Sequence, residues 1–143
     1  MSLAIVWFRR DLRVNDNPAL ATALSNHKQV LPLYIHAPQE EAPWQPGAAA
    51  RWWLHHALDD LSGQLEGRLL IRSGDSLPIL REVAERSGAT AVYWNRLYEP
   101  AAVARDTQVK QYLRAANITA ESANAALLFE PWEIKNRQGL PFR

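Results

Sequence analysis

The sequence predicts an α/β fold: a Rossmann-like, doubly wound, five-stranded parallel sheet with helices on both faces. Three observations carry that expectation. Short apolar runs of strand length alternate with segments of helical periodicity along the chain. The first run is continuous, β-branched and aromatic, as in a strand buried on both sides. A length of 143 residues with 48% hydrophobic and 22% charged residues is an ordinary balance for a single globular core.

Each element has a local reason. "LAIVWF" (Leu3–Phe8) is the first strand. In "NDNPALATAL", Asn17 is a fitting N-cap and Pro18 takes the first helical position, where its missing N–H costs nothing. "QVLPLYIH" is the second strand, and Pro32 would remove a ladder hydrogen bond, which predicts an edge or a local irregularity. Ala37–Gly47 is a proline-rich loop without periodicity, of the kind that often carries function. Ala50, Trp53, Leu54, Ala57, Leu58, Leu61 and Leu65 then recur on one face of a helix. "RLLIRS" is a third strand. The next helix is capped by Asp75 or Ser76 and stopped by Gly88. "ATAVYWN" is the fourth strand, followed by a helix opened by Pro100 with Val103, Val109, Tyr112 and Leu113 inward. "ITAESA" is the fifth strand. The closing "LLFEPWEIKNRQGLPFR" has no period, and it reads as a connection into a further domain.

Composition excludes several functions. Sixteen Lys and Arg against fifteen Asp and Glu leave a net charge of +1, a poor match for a domain that grips nucleic acid by itself. No cysteine is present, so disulfide and thiolate chemistry are out, and the composition suits a reducing cytoplasm. No apolar run is long enough for a membrane span, and the N-terminal order of apolar then charged residues is the reverse of a signal peptide. Six tryptophans is a high count; most are expected to fill the core and the rest could serve a planar chromophore or a partner.

In an open α/β sheet the binding crevice lies beyond the carboxyl ends of the strands, where their order reverses. The residues there are "RRDLR" (Arg9–Arg13), "HAP", "SGDS" and "NRLYEP". No glycine follows the first strand, so neither a dinucleotide fingerprint nor a P-loop is present. "SGDS" reads as a helix cap. His55 and His56 diverge by about 100° on their helix, and the four histidines do not read as a metal site. His36, at the end of the second strand, is the one histidine placed to touch a ligand. No nucleophile–base pair is recognisable. "RRDLR" is either an ion-pair network that locks the first strand to the first helix, or a set of arginines facing a partner domain.

"VWFRRDLRVNDNPAL" closely resembles the opening signature of the DNA photolyase/cryptochrome family, and the similarity continues through "VLPLYIHAP", "RWWLHHALDDL", "LLIRSGDSLPIL", "VYWNRLYEPAAVARD" and "NRQGLPFR". "WWLHH" and "WNRLYEP" are similar to the bacterial cyclobutane-pyrimidine-dimer photolyase branch. The resemblance implies an N-terminal light-harvesting antenna domain over residues 1–125 and, over 126–143, the start of a linker to a helical domain. That further domain would hold FAD, bind damaged DNA and carry out light-driven repair, so this chain alone would hold no catalytic residue and no metal. The same domain of a cryptochrome-type photoreceptor without repair activity is the alternative, and a free-standing nucleotide-binding domain is a more distant one.

For the antenna site the resemblance implies Tyr34, Ile35, His36, Ala37, Arg51 and Glu99, with Glu99 as a pigment-contacting carboxylate. The pigment it implies is a reduced folate or 8-hydroxy-5-deazaflavin. Leu97 stands where a deazaflavin pattern has an acid, and Ala101 and Ala102 stand where a folate pattern has Asn and Glu, so the choice stays open between the two pigments and a domain that keeps the fold without an antenna. Asp11 and Arg13 are expected to hold the turn after the first strand, while Arg9 and Arg10 approach the further domain.

Overall fold

The computed structural model describes residues 2–41, 45–127, 130–133, 135 and 137–140. Its strands are β1 (Leu3–Phe8), β2 (Gln29–His36), β3 (Leu70–Ser73), β4 (Ala91–Asn95) and β5 (Thr119–Ala123). Its helices are α1 (Pro18–Asn26), α2 (Ala48–Gln64), α3 (Ser76–Ser87) and α4 (Pro100–Ala115), with a 3₁₀ turn at Pro38–Glu41. The sheet is parallel throughout, in the order β3-β2-β1-β4-β5. The chain therefore winds outward from β1 in one direction through β3, returns, and winds the other way from β4. The switch point lies between β1 and β4.

The side-chain alternation of β1 builds both halves of the core. Ile5 and Trp7 face a cluster with Leu80, Val83, Val109 and Leu113 of α3 and α4. Ala4, Val6 and Phe8 face Leu20, Ala23 and Leu61 of α1 and α2. A strand covered on both sides has no solvent face to mark with polar residues, which is why its sequence is a continuous apolar run. Each large side chain withdrawn from water in this way contributes about 1.5–3 kcal/mol.

Three expectations change in detail. β2 is not an edge strand, since β1 and β3 flank it. At Pro32 itself, however, β2 is locally an edge as expected: β3 pairs only with Leu33–His36, so Pro32 sits just beyond β3's reach. Trp53 and Ala50 are exposed rather than inward, and Trp53 retains 68% of its surface. Seventeen residues of helix are about 25 Å long, far longer than the four-residue strand β3 that follows, so only the later turns of α2 bury a face. Val103 of α4 is likewise exposed.

Caps and turns follow the sequence closely. The Asn17 side chain accepts the Leu20 amide at 3.1 Å. Gly88 ends α3 in the left-handed conformation, φ 71°. Asp75 is the N-cap of α3 but makes no side-chain cap bond. Glu40 supplies that function from the 3₁₀ turn, accepting the Ser76 amide and hydroxyl at 2.7 Å each. Gly74, before it, has φ +132°, a conformation that side chains rarely adopt, and its amide donates to the His36 carbonyl at 3.0 Å. The glycine of "SGDS" thus serves the turn that ties β3 to the end of β2.

The switch point is closed by a polar network. Asn95, 3% exposed, accepts the Ala19 amide at 3.0 Å and donates to Asn17 Oδ1 at 2.8 Å and to Asp11 Oδ2. Asp11 Oδ1 accepts the Arg9 amide at 2.9 Å, and Asn17 Nδ2 donates to the Arg13 carbonyl at 3.0 Å. β1, α1 and β4 are joined through these three side chains. Asn95→Ala should lower unfolding stability by about 1–3 kcal/mol in a denaturant titration, because it leaves the buried Ala19 amide without its acceptor and takes one hydrogen bond each from Asn17 and Asp11.

Candidate functional site

A cavity of about 500 Å³ opens beside the switch point, at the carboxyl ends of β1 and β2. Its walls come from Trp7, Tyr34, Ile35, His36 and Ala37, from the 3₁₀ turn, and from Ala50, Trp53, Leu54 and Ala57 of α2. Leu12, Leu97, Ser76 and Glu41 complete it together with Arg9, Arg10 and Arg105. Volume and lining are those of a small-molecule site: apolar and aromatic walls with a few placed polar groups.

The floor is held by arginine–aromatic packing. The Arg9 guanidinium lies 4.7 Å from the Trp7 ring centre and that of Arg105 lies 5.3 Å from it. Trp7 also meets Trp94 edge to face at 5.7 Å. Arg9, with only 6% of its side chain exposed, donates to both oxygens of Asp106 at 2.6 Å and to the Asn95 carbonyl. Burial pulls Arg9 below its ordinary value, and Asp106 opposes that loss. Arg105 bridges Glu40 at 3.6 Å and Asp106 at 3.3 Å. Glu40 thereby ties the turn after β2 to α3 and α4 at once.

Arg10 is placed differently. Its side chain is 54% exposed and is paired with Glu99, itself 52% exposed, with Glu41 at 4.0 Å. Arg10, first among the causes, holds the Glu99 carboxyl below its ordinary 4.5. With a folded value below the unfolded one, this pair contributes its small stabilisation above about pH 4.5 and loses it as pH falls through the lowered value. Burial, and then Glu41, push the Tyr34 phenol up, so it stays neutral and able to donate.

Of the residues singled out in the sequence, Tyr34, Ile35, His36 and Ala37 line the cavity. Arg51 is exposed on α2 and is not part of the wall, and Glu99 reaches it only through Arg10. Arg9 does not face outward: a bidentate carboxylate within this same domain holds it. Asp11 is central to the switch-point network. The Arg13 side chain is exposed and touches only the carbonyls of Asp16 and Ala125, at 3.1 and 3.4 Å. Trp7, Trp53, Arg105 and Glu41 belong to the wall but are not among the site residues singled out in the sequence; Trp7, Trp53 and Arg105 lie inside the family-like segments, while Glu41 lies in the proline-rich loop. Among the described residues no group of three His, Cys, Asp or Glu could hold a metal ion, and no helix is long and apolar enough to cross a membrane.

Asp106→Ala should cost about 3–5 kcal/mol in equilibrium unfolding, since Arg9 would remain buried without its partner. Arg13→Ala should move the same transition by less than about 1 kcal/mol, having only exposed carbonyl contacts to lose.

The comparisons agree on one relationship. Residues 4–143 match the family model described as DNA photolyase. The chain is 46% identical to Cryptochrome-1 of Arabidopsis thaliana over 97% of its length and 44% identical to the deoxyribodipyrimidine photo-lyase of Agrobacterium fabrum over 97%. It spans 21% and 29% of those two proteins. A solved bacterial class III photolyase from Agrobacterium tumefaciens superposes with a TM-score of 0.90 at 42% identity, covering 99% of this chain and 30% of that one. A photolyase of Sulfolobus tokodaii, solved with two FAD molecules, gives 0.81 at 26% identity, covering 94% of this chain and 32% of that one. With its sheet, its signature turn and nearly its whole length matched, the chain belongs to the DNA photolyase family.

Proposed function

We propose that this chain is the N-terminal light-harvesting domain of a deoxyribodipyrimidine photolyase, and that the 500 Å³ cavity holds its antenna pigment. The observation that carries the reading is an aromatic-walled cavity at the switch point of a chain matched to photolyases over nearly its whole length. The match to only about a third or less of each relative's length supports a further domain in the full-length protein. That domain would hold FAD, meet damaged DNA and perform the repair. In this division residues 1–125 form the antenna domain and 126–143 lead away from it; part of that tail lies outside the described residues. A cytoplasmic location goes with the reading.

The residues present fit a planar pigment. Tyr34 and Trp53 offer aromatic faces or edges, Leu12, Ile35, Leu54 and Leu97 exclude water, and Arg10 with Glu41 offers hydrogen bonds. A folate or a deazaflavin, when bound, would supply absorption in the near-ultraviolet or blue. The protein's task is then to hold the ring, fix its orientation and keep it dry. Nothing in the wall forms a nucleophile–base pair.

The photoreceptor alternative rests on the 46% identity to Cryptochrome-1. Repair of pyrimidine dimers by the illuminated full-length protein separates the two, and its absence would favour the photoreceptor.

For the cavity itself, methenyl-folate or 8-hydroxy-5-deazaflavin should remain with the protein through gel filtration, read as a near-ultraviolet or blue absorption band. Ala57→Trp, which fills the cavity from α2, should abolish retention of the band. A band that survives this substitution would place the pigment elsewhere.

A further inference from the structure

The cavity wall carries three arginines against one carboxylate, Glu41, yet the three are not equivalent. Arg9 is committed to Asp106 and the Asn95 carbonyl in a buried site. Arg105 is committed to Glu40 and Asp106 and is only 17% exposed. Breaking either pair would strand a buried charge, at a cost far above what one ligand contact returns. Arg10 differs in kind. Both of its partners are accessible, and an exposed ion pair contributes little, so its partner is readily exchanged.

We infer that Arg10 is a specificity-determining residue for a ligand made of a planar ring and an anionic arm, phosphate or carboxylate, and that Glu99 occupies the position of that arm. This rests on the cavity being the pigment site proposed above. Glu99 is the N-cap residue of α4 but makes no side-chain cap bond, so releasing its carboxylate from Arg10 leaves the helix end as it was. A hydrogen-bonded ion pair at the edge of an apolar cavity is shorter and stronger than a neutral contact, and the guanidinium fork suits phosphate and carboxylate alike. Glu99 then sets the threshold: it competes with the ligand arm and does not itself hold the ring.

The test compares matched ligands on the purified chain by fluorescence titration: riboflavin against riboflavin 5′-phosphate, and 6-hydroxymethylpterin against folic acid. The anionic member of at least one pair should bind about tenfold more tightly. A gain in the first pair alone assigns phosphate, and one in the second alone assigns carboxylate. Arg10→Gln should bring that ratio near one, and Arg10→Lys should restore part of it. Glu99→Gln should widen the ratio; if Glu99 were instead a direct ring partner, that variant would weaken both ligands. In the unsubstituted chain the ratio should shrink as salt is raised from about 0.05 to 0.5 M, a readout that needs no variant. Equal binding with and without the anion, or a ratio unchanged by Arg10→Gln, overturns the inference and leaves the pigment site standing. Failure of all four ligands to bind overturns the pigment site and this inference with it.

Discussion

The structure depends on how the gap between β1 and β4 is closed. These strands lie side by side, but the chain leaves them in opposite directions, so no connection crosses over their carboxyl ends. Backbone groups there have no ladder to enter and cannot stay bare. Asn95, Asp11 and Asn17 supply partners from β4, the turn after β1 and the cap of α1. One short set of side-chain amides and a carboxylate thus fixes the first helix on the sheet and the direction in which the chain leaves β1. Everything at the cavity floor is placed from that corner.

The charged residues of the corner extend the same logic outward. Arg9 can be buried because three neighbours receive it: a bidentate carboxylate, a carbonyl and the face of Trp7. Glu40 does the equivalent for the turn after β2, capping α3 and meeting Arg105. The floor and back wall of the cavity are therefore over-determined. The α2 side is not: its first turns are exposed, with Trp52 and Trp53 meeting edge to face at 5.2 Å. A polar-backed floor facing an aromatic wall suits holding a flat molecule.

Legibility in the sequence followed the range of the interaction. Caps, strand runs and the turn glycines are set within a few residues, and they were readable: Asn17, Pro18, Gly88 and the continuous "LAIVWF" are examples. The carboxyl ends of the strands were readable as the place for a site, because parallel α/β topology leaves no other crevice. His36 and Ala37 followed from that, while Tyr34 and Ile35 came with the family resemblance. The partners of the arginines were not readable. Arg9 and Asp106 are 97 positions apart, and although both lie in family-like segments, nothing local to either residue pairs them. Trp53 misled through its periodicity, since helical spacing identifies a face but not how much of that face the sheet is long enough to cover.

By itself the sequence determined the fold class, the order of elements, the family signature and the absence of cysteine chemistry, since each depends on composition, period or neighbouring residues. Tertiary structure decided which of the three wall arginines are spent inside the domain and which one is free to exchange its partner. It also decided that Glu40 acts as a cap and that Glu99 answers to Arg10. These follow from contacts between residues 36 to 97 positions apart, whose energies turn on burial. A guanidinium reads the same in a sequence whether it is 6% or 54% exposed, and only the fold sets that difference.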